Sequence, residues 1–224
     1  MDTPFFQVLG SDDLSTGAMT RMSRAEIDQF AHIRRMRDSR FPHEIASILP
    51  GEFFVSGDPM IVYTVLGSCI SACVRDPIAG VGGMNHFMLP KPKEGGCDSW
   101  GESTRYGSYA MESLINGILK RGGVKSRLEV KLFGAGKIYD GNIDVGARNA
   151  EWVLEYLRAE GLSACKTDLG DMYPRKVYYF TESGRVLLKK LERLKNRTIE
   201  MREQKYAAKI QTREQAAEEE VTLF

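Results

Sequence analysis

The chain has 224 residues, a formal net charge of +1 and 42% apolar residues. These values indicate one globular domain with extensions, whose core needs no disulfide bonds. The near-neutral charge argues against a general role in binding nucleic acid or membrane surfaces. No stretch reaches transmembrane length and the N-terminus lacks a secretory leader pattern, so we expect a cytoplasmic protein without membrane insertion.

Residues 1–50 are predicted to form a partly helical N-terminal extension. Ser23 and Glu26 make a capping box at the start of a helical pattern over residues 23–40, and Pro42 ends that pattern. The basic face of this helix could contact an acidic partner, or the helix could simply pack on the domain.

Two apolar strands are predicted next, over residues 51–57 and 60–66. Gly67, Ser68 and Cys69 follow the second strand directly. Small residues of this kind make a flexible turn. The pattern therefore predicts a thiol presented just beyond the end of a buried strand.

Residues 70–75 and 81–90 are predicted to form a hairpin, because Asp-Pro followed by Gly between two apolar runs marks a turn. With residues 77–78 at the tip of the hairpin, Cys69 is expected to lie directly opposite His86. Opposed side chains on antiparallel strands have Cβ atoms about 5 Å apart. The thiol and the imidazole would then be neighbours, as a Cys–His nucleophilic pair requires.

The four cysteines do not follow a zinc-binding pattern, and in a reducing cytosol we expect them to be thiols. Cys73 and Cys165 lie in apolar runs and are interpreted as buried structural residues, whereas Cys97 lies in a polar loop. Cys69 differs because of its Gly-Ser approach and its histidine partner, which make it the candidate nucleophile. We expect the protein to use neither a metal nor a cofactor.

The rest of the chain mixes strands and helices without strict alternation, which indicates an α+β fold. The predicted elements are a loop over 91–103, a helix over 106–121, a strand over 128–133, a helix over 147–160, a strand over 162–169, and a hairpin of 176–180 and 184–189. The glycine-rich run at 133–137 lacks the residues of a phosphate loop, and a tight turn beside the active site is the preferred interpretation. Residues 190–224 are predicted to form a charged, solvated, partly helical tail. A thin apolar stripe runs through Leu191, Leu194, Thr198, Met201 and Ala208.

Six short motifs occur in a fixed order along the chain. They are Leu66-Gly67-Ser68-Cys69, Cys73-Val74-Arg75-Asp76-Pro77, His86-Phe87-Met88-Leu89-Pro90, Asn142-Ile143, Gly146-x-Arg148-Asn149 and Arg175-Lys176-Val177. Together they resemble the CheD family of chemoreceptor glutamine deamidases. The resemblance covers residues 51–189, with residues 190–224 as a C-terminal extension, and implies a layered β-sheet core flanked by helices, related to a deamidase toxin fold.

The resemblance also implies a reaction. Cys69 would attack the side-chain amide of a receptor glutamine and His86 would accept the thiol proton. Hydrolysis of the resulting thioester would leave glutamate. The backbone N–H groups of the turn at Gly67 and Ser68 are the candidate donors to the oxyanion.

A threonine just upstream of the cysteine belongs to the family pattern, and Thr64 is the residue that matches it here. Some members carry this threonine one position earlier, where this chain has Tyr63. Because a shift of one residue turns a strand side chain to the other face, Thr64 could either orient His86 or be an ordinary strand residue.

The implied partners are the cytoplasmic domains of chemoreceptors and, optionally, a CheC-type phosphatase. Hydrolysis of receptor glutamate methyl esters is a closely related activity. A non-enzymatic adaptor that binds receptors or the phosphatase is the alternative, and another cysteine amidohydrolase or a transglutaminase is a weaker one. An intact pair of Cys69 and His86 favours the enzyme, because a pure binding protein would not need it.

Overall fold

The computed structural model describes residues 7–9, 29–90, 101–138, 144–192 and 197–219. The strands are β1 (Gln7–Leu9), β2 (Arg34–Met36), β3 (Ile45–Ser47), β4 (Phe53–Ser56), β5 (Ile61–Leu66), β6 (Ile70–Asp76), β7 (Val81–Asn85), β8 (Glu129–Gly134), β9 (Ala164–Leu169), β10 (Arg175–Phe180) and β11 (Val186–Lys190). The α-helices are α1 (Gly101–Leu119), α2 (Val145–Ala159) and α3 (Arg197–Glu219), with a 3₁₀ turn at Lys125–Arg127. The predictions on Ser23, Glu26, Cys97 and Asn142 fall outside the described residues.

The strands form two mixed sheets. The first sheet has the order β1-β11-β10-β5-β3-β2 and the second has the order β4-β7-β6-β8-β9. Neighbouring strands are antiparallel, except that β3 runs parallel to β5 and β8 runs parallel to β9. The predicted strands over residues 51–57, 60–66 and 128–133 and the predicted C-terminal hairpin are confirmed by β4, β5, β8, β10 and β11.

Apolar side chains from both sheets and from α1 and α2 share one core. Helix α1 packs against β4, β6 and β7, and α2 packs against β6 and β9, so both helices lie on the second sheet. This arrangement confirms the predicted α+β fold with a layered β-sheet core flanked by helices. None of the helices in the described ranges is both long enough and apolar enough to cross a lipid bilayer.

The chain crosses from the first sheet to the second between β5 and β6. Strand β5 ends at Leu66 and β6 begins at Ile70, so the turn that contains Cys69 is this crossing. Residues of the turn are therefore held from both sides by strands that belong to different sheets.

The helix predicted over residues 23–40 is wrong from residue 30 onward. Gln29 is helical, residues 30–33 make a turn and a bend, and Arg34–Met36 forms strand β2 against β3. Phe30 and Ile33, in this turn and bend, are buried. Pairing with β3 supplies backbone hydrogen bonds that local helical propensity cannot match, because short helices are marginally stable by themselves.

The hairpin of β6 and β7 forms as predicted, but in a register shifted by two residues. Asp76 pairs with Val81 and Cys73 pairs with Met84, and an isolated bridge joins Ile70 to Phe87. The connection has four residues instead of two, because Asp76 Oδ1 accepts hydrogen bonds from the backbone N–H groups that follow it in the turn. Cys69 is therefore not directly opposite His86.

Three other predictions need correction. Helix α1 begins at Gly101, so residues 101–103 are helical where a loop was predicted. Cys165 is exposed because β9 is an edge strand of the second sheet, whereas Cys73 is buried as expected. The tail is not fully solvated, because α3 buries Ile199 and Ile210.

Candidate active site

Cys69 lies in the crossing between the sheets and is completely buried. Its carbonyl accepts a hydrogen bond from Ala135 N at 2.8 Å, and the carbonyl of Gly67 accepts one from Gly136 N at 2.8 Å. The glycine-rich run that follows β8 is thus a tight turn beside the thiol, as predicted. Gly134 in this turn has a φ of +116°, and a Cβ there would collide with the Cys69 carbonyl oxygen.

Asn149, on α2, holds the other side of the same turn. Its amide nitrogen donates to the carbonyl of Ser68 at 2.9 Å, and its side-chain oxygen accepts from Leu89 N at 3.0 Å. The side chain is fully buried. This contact gives a structural reason for the Gly146-x-Arg148-Asn149 motif, which fixes the chain on both sides of the candidate site.

His86 follows the end of β7 and is also buried. Its backbone N–H donates to Glu52 O at 2.9 Å, and its carbonyl accepts from Gly51 N at 2.7 Å. Its Nδ1 lies 2.8 Å from Thr64 Oγ1. The three predicted residues Cys69, His86 and Thr64 are therefore brought together from three different segments.

Thr64 defines which nitrogen of His86 carries the proton. The hydroxyl of Thr64 has one hydrogen, and it donates that hydrogen to the carbonyl of Ile48 at 2.9 Å. Oγ1 must then accept from His86, which assigns the proton to Nδ1. The other nitrogen, Nε2, is buried and has no hydrogen-bond partner among the described residues, so it is free to accept a proton.

The environment keeps both the imidazole and the thiol neutral. Burial, with a smaller contribution from the positive charge of Arg202, lowers the pKa of His86 to about 3. Burial also raises the pKa of the Cys69 thiol well above its ordinary value, and the charge of Glu203 raises it further. In this state Cys69 is a thiol beside an unprotonated base.

Glu203 is the functional group that the sequence patterns missed. It lies on α3 and is almost completely buried. Its Oε1 accepts hydrogen bonds from Gly67 N at 2.8 Å and from Cys69 N at 3.3 Å, and its Oε2 accepts from Ser68 N at 3.0 Å and from Ser68 Oγ at 2.7 Å. Successive backbone N–H groups aimed at one carboxylate form an anion-binding concavity. Hydrophobic periodicity cannot identify a charged residue on the buried face of a helix.

Cys69, His86 and Glu203 each place a possible metal-ligand atom within 4.8 Å of the other two. Zinc accepts sulfur, imidazole and carboxylate ligands. However, both oxygens of Glu203 already accept hydrogen bonds from backbone N–H groups, so we interpret Glu203 as bound to the turn. That the protein uses no metal stays a prediction.

The fold and this site define a class of α+β proteins. In this class a buried thiol, a neutral imidazole and a threonine hydroxyl meet at the crossing between two sheets. Residues 88–190 match the sequence pattern of the CheD chemotactic sensory transduction family. Relatives in Herminiimonas arsenicoxydans and Thiobacillus denitrificans are both 49% identical, over 82% and 84% of this chain and 92% and 93% of their own length.

A relative in Halorhodospira halophila is 50% identical over 199 residues, which cover 87% of this chain and 91% of the relative. All three relatives are named probable chemoreceptor glutamine deamidase CheD. The chain belongs to the CheD family.

Proposed function

We propose that this protein deamidates glutamine side chains of chemoreceptors to glutamate and thereby supports chemotaxis. The name shared by its relatives supports the substrate. The observation that carries the chemistry is the buried thiol of Cys69 beside the unprotonated Nε2 of His86, with the N–H groups of the turn converging on a carboxylate.

The first half of the reaction would transfer an acyl group to the enzyme. Nε2 of His86 takes the proton of Cys69, and Sγ attacks the carboxamide carbon of the glutamine. The oxygen of the carboxamide becomes an oxyanion, for which the N–H groups of Gly67, Ser68 and Cys69 are the donors. The C–N bond breaks as His86 returns the proton to the nitrogen, so that ammonia leaves and a thioester forms.

The second half would release glutamate. His86 removes a proton from a water molecule, which attacks the thioester carbon, and the C–S bond breaks. The sulfur takes the proton back from His86, so the enzyme returns to its starting state. Thr64 would act throughout as a positioning residue. It accepts a hydrogen bond from Nδ1–H of His86, and this keeps Nε2 as the basic nitrogen. These steps use only groups of the protein and water.

Docking to a CheC-type phosphatase is a separate partner prediction that the catalytic proposal does not require. Co-purification of the full chain with such a phosphatase would support it. A Cys69→Ala variant should bind equally well in that assay, because loss of the thiol removes the reaction but not a surface.

The proposed function is tested by the intact mass of a chemoreceptor cytoplasmic fragment incubated with the protein. Each converted glutamine adds about one dalton and releases one ammonia. We expect one molecule of ammonia to be released for each dalton that the fragment gains. A fragment that keeps its mass and all its amides after prolonged incubation with the folded protein would contradict the proposal.

A further inference from the structure

The candidate nucleophile is closed off in this structure. Cys69 has no exposed surface and His86 is 2% exposed. A glutamine on another protein cannot reach a thiol that is completely covered. Some segment must therefore leave before the proposed reaction can begin, and the contacts of the site identify which one.

Helix α3 is the segment that reaches into the site. Glu203 fills the concavity made by the N–H groups of Gly67, Ser68 and Cys69. A glutamate carboxylate is also the product of the proposed reaction, and the same N–H groups are the donors available to its oxyanion. Glu203 thus occupies the position that a substrate side chain would take before the reaction and a product side chain after it.

The rest of α3 is arranged around this contact. The buried and half-buried positions described for it recur every three or four residues, which places them on one face of the helix: Ile199, Glu200, Glu203, Tyr206, Ala207 and Ile210. The opposite face is exposed, and Met201 on that face is 56% exposed. The ring of Tyr206 lies against Gly51, and the backbone N–H of Gly51 donates to the carbonyl of His86. The hydroxyl of Tyr206 contacts the hydroxyl of Tyr106.

We propose that α3 is a built-in product mimic, which closes the active site with Glu203 until the chemoreceptor substrate displaces it. This inference rests on the proposed function and adds a regulation of the same site. Because α3 is part of the same chain, its high local concentration favours the closed state without strong intrinsic affinity. Release of α3 exposes Cys69 and frees the N–H groups of the turn together.

The test compares two alanine variants of the full chain. Glu203→Ala removes the buried carboxylate, and Gln204→Ala removes an exposed neighbour on the same helix. Two rates are measured: alkylation of Cys69 by iodoacetamide, located by peptide mapping, and deamidation of a receptor cytoplasmic fragment. We expect Glu203→Ala to raise both rates by roughly 5- to 150-fold, the range of typical coupling energies between sites, and Gln204→Ala to match the wild type.

The two rates separate failure of this inference from failure of the proposed function. Unchanged alkylation of Cys69 in Glu203→Ala overturns the product mimic, whether or not the receptor fragment is deamidated. Faster alkylation with slower deamidation also overturns it, because Glu203 would then assist the reaction. Faster alkylation in a protein that never deamidates the fragment keeps α3 as the cover of the thiol but overturns both the deamidase proposal and the product-mimic role that depends on it.

Glu203→Gln is a second variant of nearly unchanged shape. It places a carboxamide where the mechanism acts, so Cys69 should attack it, ammonia should leave and water should restore glutamate at position 203. Peptide mapping should show a gain of about one dalton there, dependent on Cys69, while the exposed Gln204 keeps its amide. An amide retained at 203 together with wild-type alkylation of Cys69 would overturn the inference.

Discussion

At the scale of single residues, the hydroxyl of Thr64 has the most specific role. It accepts a hydrogen bond from Nδ1–H of His86 and donates one to the carbonyl of Ile48, which leaves Nε2 as the basic nitrogen. A neutral imidazole has two tautomers, and only this one can accept a proton from the thiol. We therefore propose that Thr64 selects the tautomer of His86, a role in which its side chain need not touch the substrate.

Replacement of Thr64 by valine tests that role. Thr64→Val keeps the shape of the side chain but removes the acceptor for the Nδ1 proton, so we expect kcat on a receptor fragment to fall by roughly 10- to 100-fold with little change in KM. Thr64→Ser keeps the hydroxyl and should recover most of the rate. A Thr64→Val enzyme with wild-type kcat would show that another group orients His86.

His86 also makes stability depend on pH. Its pKa is lowered from 6.5 to about 3 by burial, so between these values the unfolded chain binds a proton that the native chain does not. The native state is therefore stabilised fully above pH 6.5 and progressively less as the pH falls toward 3. From pH 7 to pH 5 this group should cost about 2 kcal/mol of unfolding free energy.

Urea unfolding at the two pH values measures this loss. His86→Asn removes the titrating group. The free energy of unfolding of this variant should therefore decrease between pH 7 and pH 5 by about 2 kcal/mol less than that of the wild type. Equal decreases in the two proteins would mean that the native state accommodates a protonated His86.

The sequence identified three residues of the site and missed a fourth, Glu203. Cys69 and His86 lie in short motifs with recognisable spacing, Thr64 lies just upstream of the first of these motifs, and the structure brings all three together. Glu203 is far along the chain, in a charged tail whose apolar stripe was assigned to the wrong face. Met201 on the predicted stripe is 56% exposed, whereas Glu203 is buried. The buried face of α3 carries Ile199 and Ile210, but a glutamate lies between them, because hydrogen bonds to a distant turn hold the Glu203 carboxylate there.

At the scale of elements, the hairpin of β6 and β7 shows what a turn pattern can and cannot predict. The Asp-Pro signal located the turn correctly, but the length of the connection depends on the hydrogen bonds of Asp76. The register moved by two residues, and a shift of two keeps every side chain on its predicted face. The thiol and the imidazole therefore stay neighbours although they are not directly opposed.

Arg175 connects the two sheets. It lies on β10 in the first sheet and is fully buried, and its Nε donates to Asp168 Oδ1 of β9 in the second sheet at 2.7 Å. It also donates to Tyr173 O at 3.0 Å. If one partner of a buried ion pair is removed, the other partner stays buried without compensation. This costs more stability than replacement of both partners by apolar residues.

We expect Arg175→Met to lower the free energy of unfolding by about 3–5 kcal/mol, measured by urea denaturation. The matched control is Lys125→Met, which removes a surface ion pair with Glu160 at 2.7 Å. Both partners of that pair are about half exposed, so its loss should cost less than about 1 kcal/mol. Similar losses in the two variants would show that Arg175 does not hold the sheets together.

At the scale of the whole molecule, the site depends on the crossing between two sheets. The first sheet supplies Thr64, the second supplies the segment of His86, and Cys69 lies in the turn between them. Local patterns predicted the α+β class and most of the strands, since these follow from residue alternation and turn residues. They could not predict β2 or the packing of α3, because both depend on contacts between distant parts of the chain.

Nucleophilic catalysis by the thiol of Cys69 is tested by a pair of alanine variants. Cys69→Ala and Cys73→Ala each remove one buried thiol, and the intact mass of a receptor fragment reports deamidation by each variant. We expect Cys69→Ala to lose several orders of magnitude in rate, as loss of a covalent nucleophile does, and Cys73→Ala to stay close to the wild type. Activity of Cys69→Ala within about tenfold of the wild type would contradict the account.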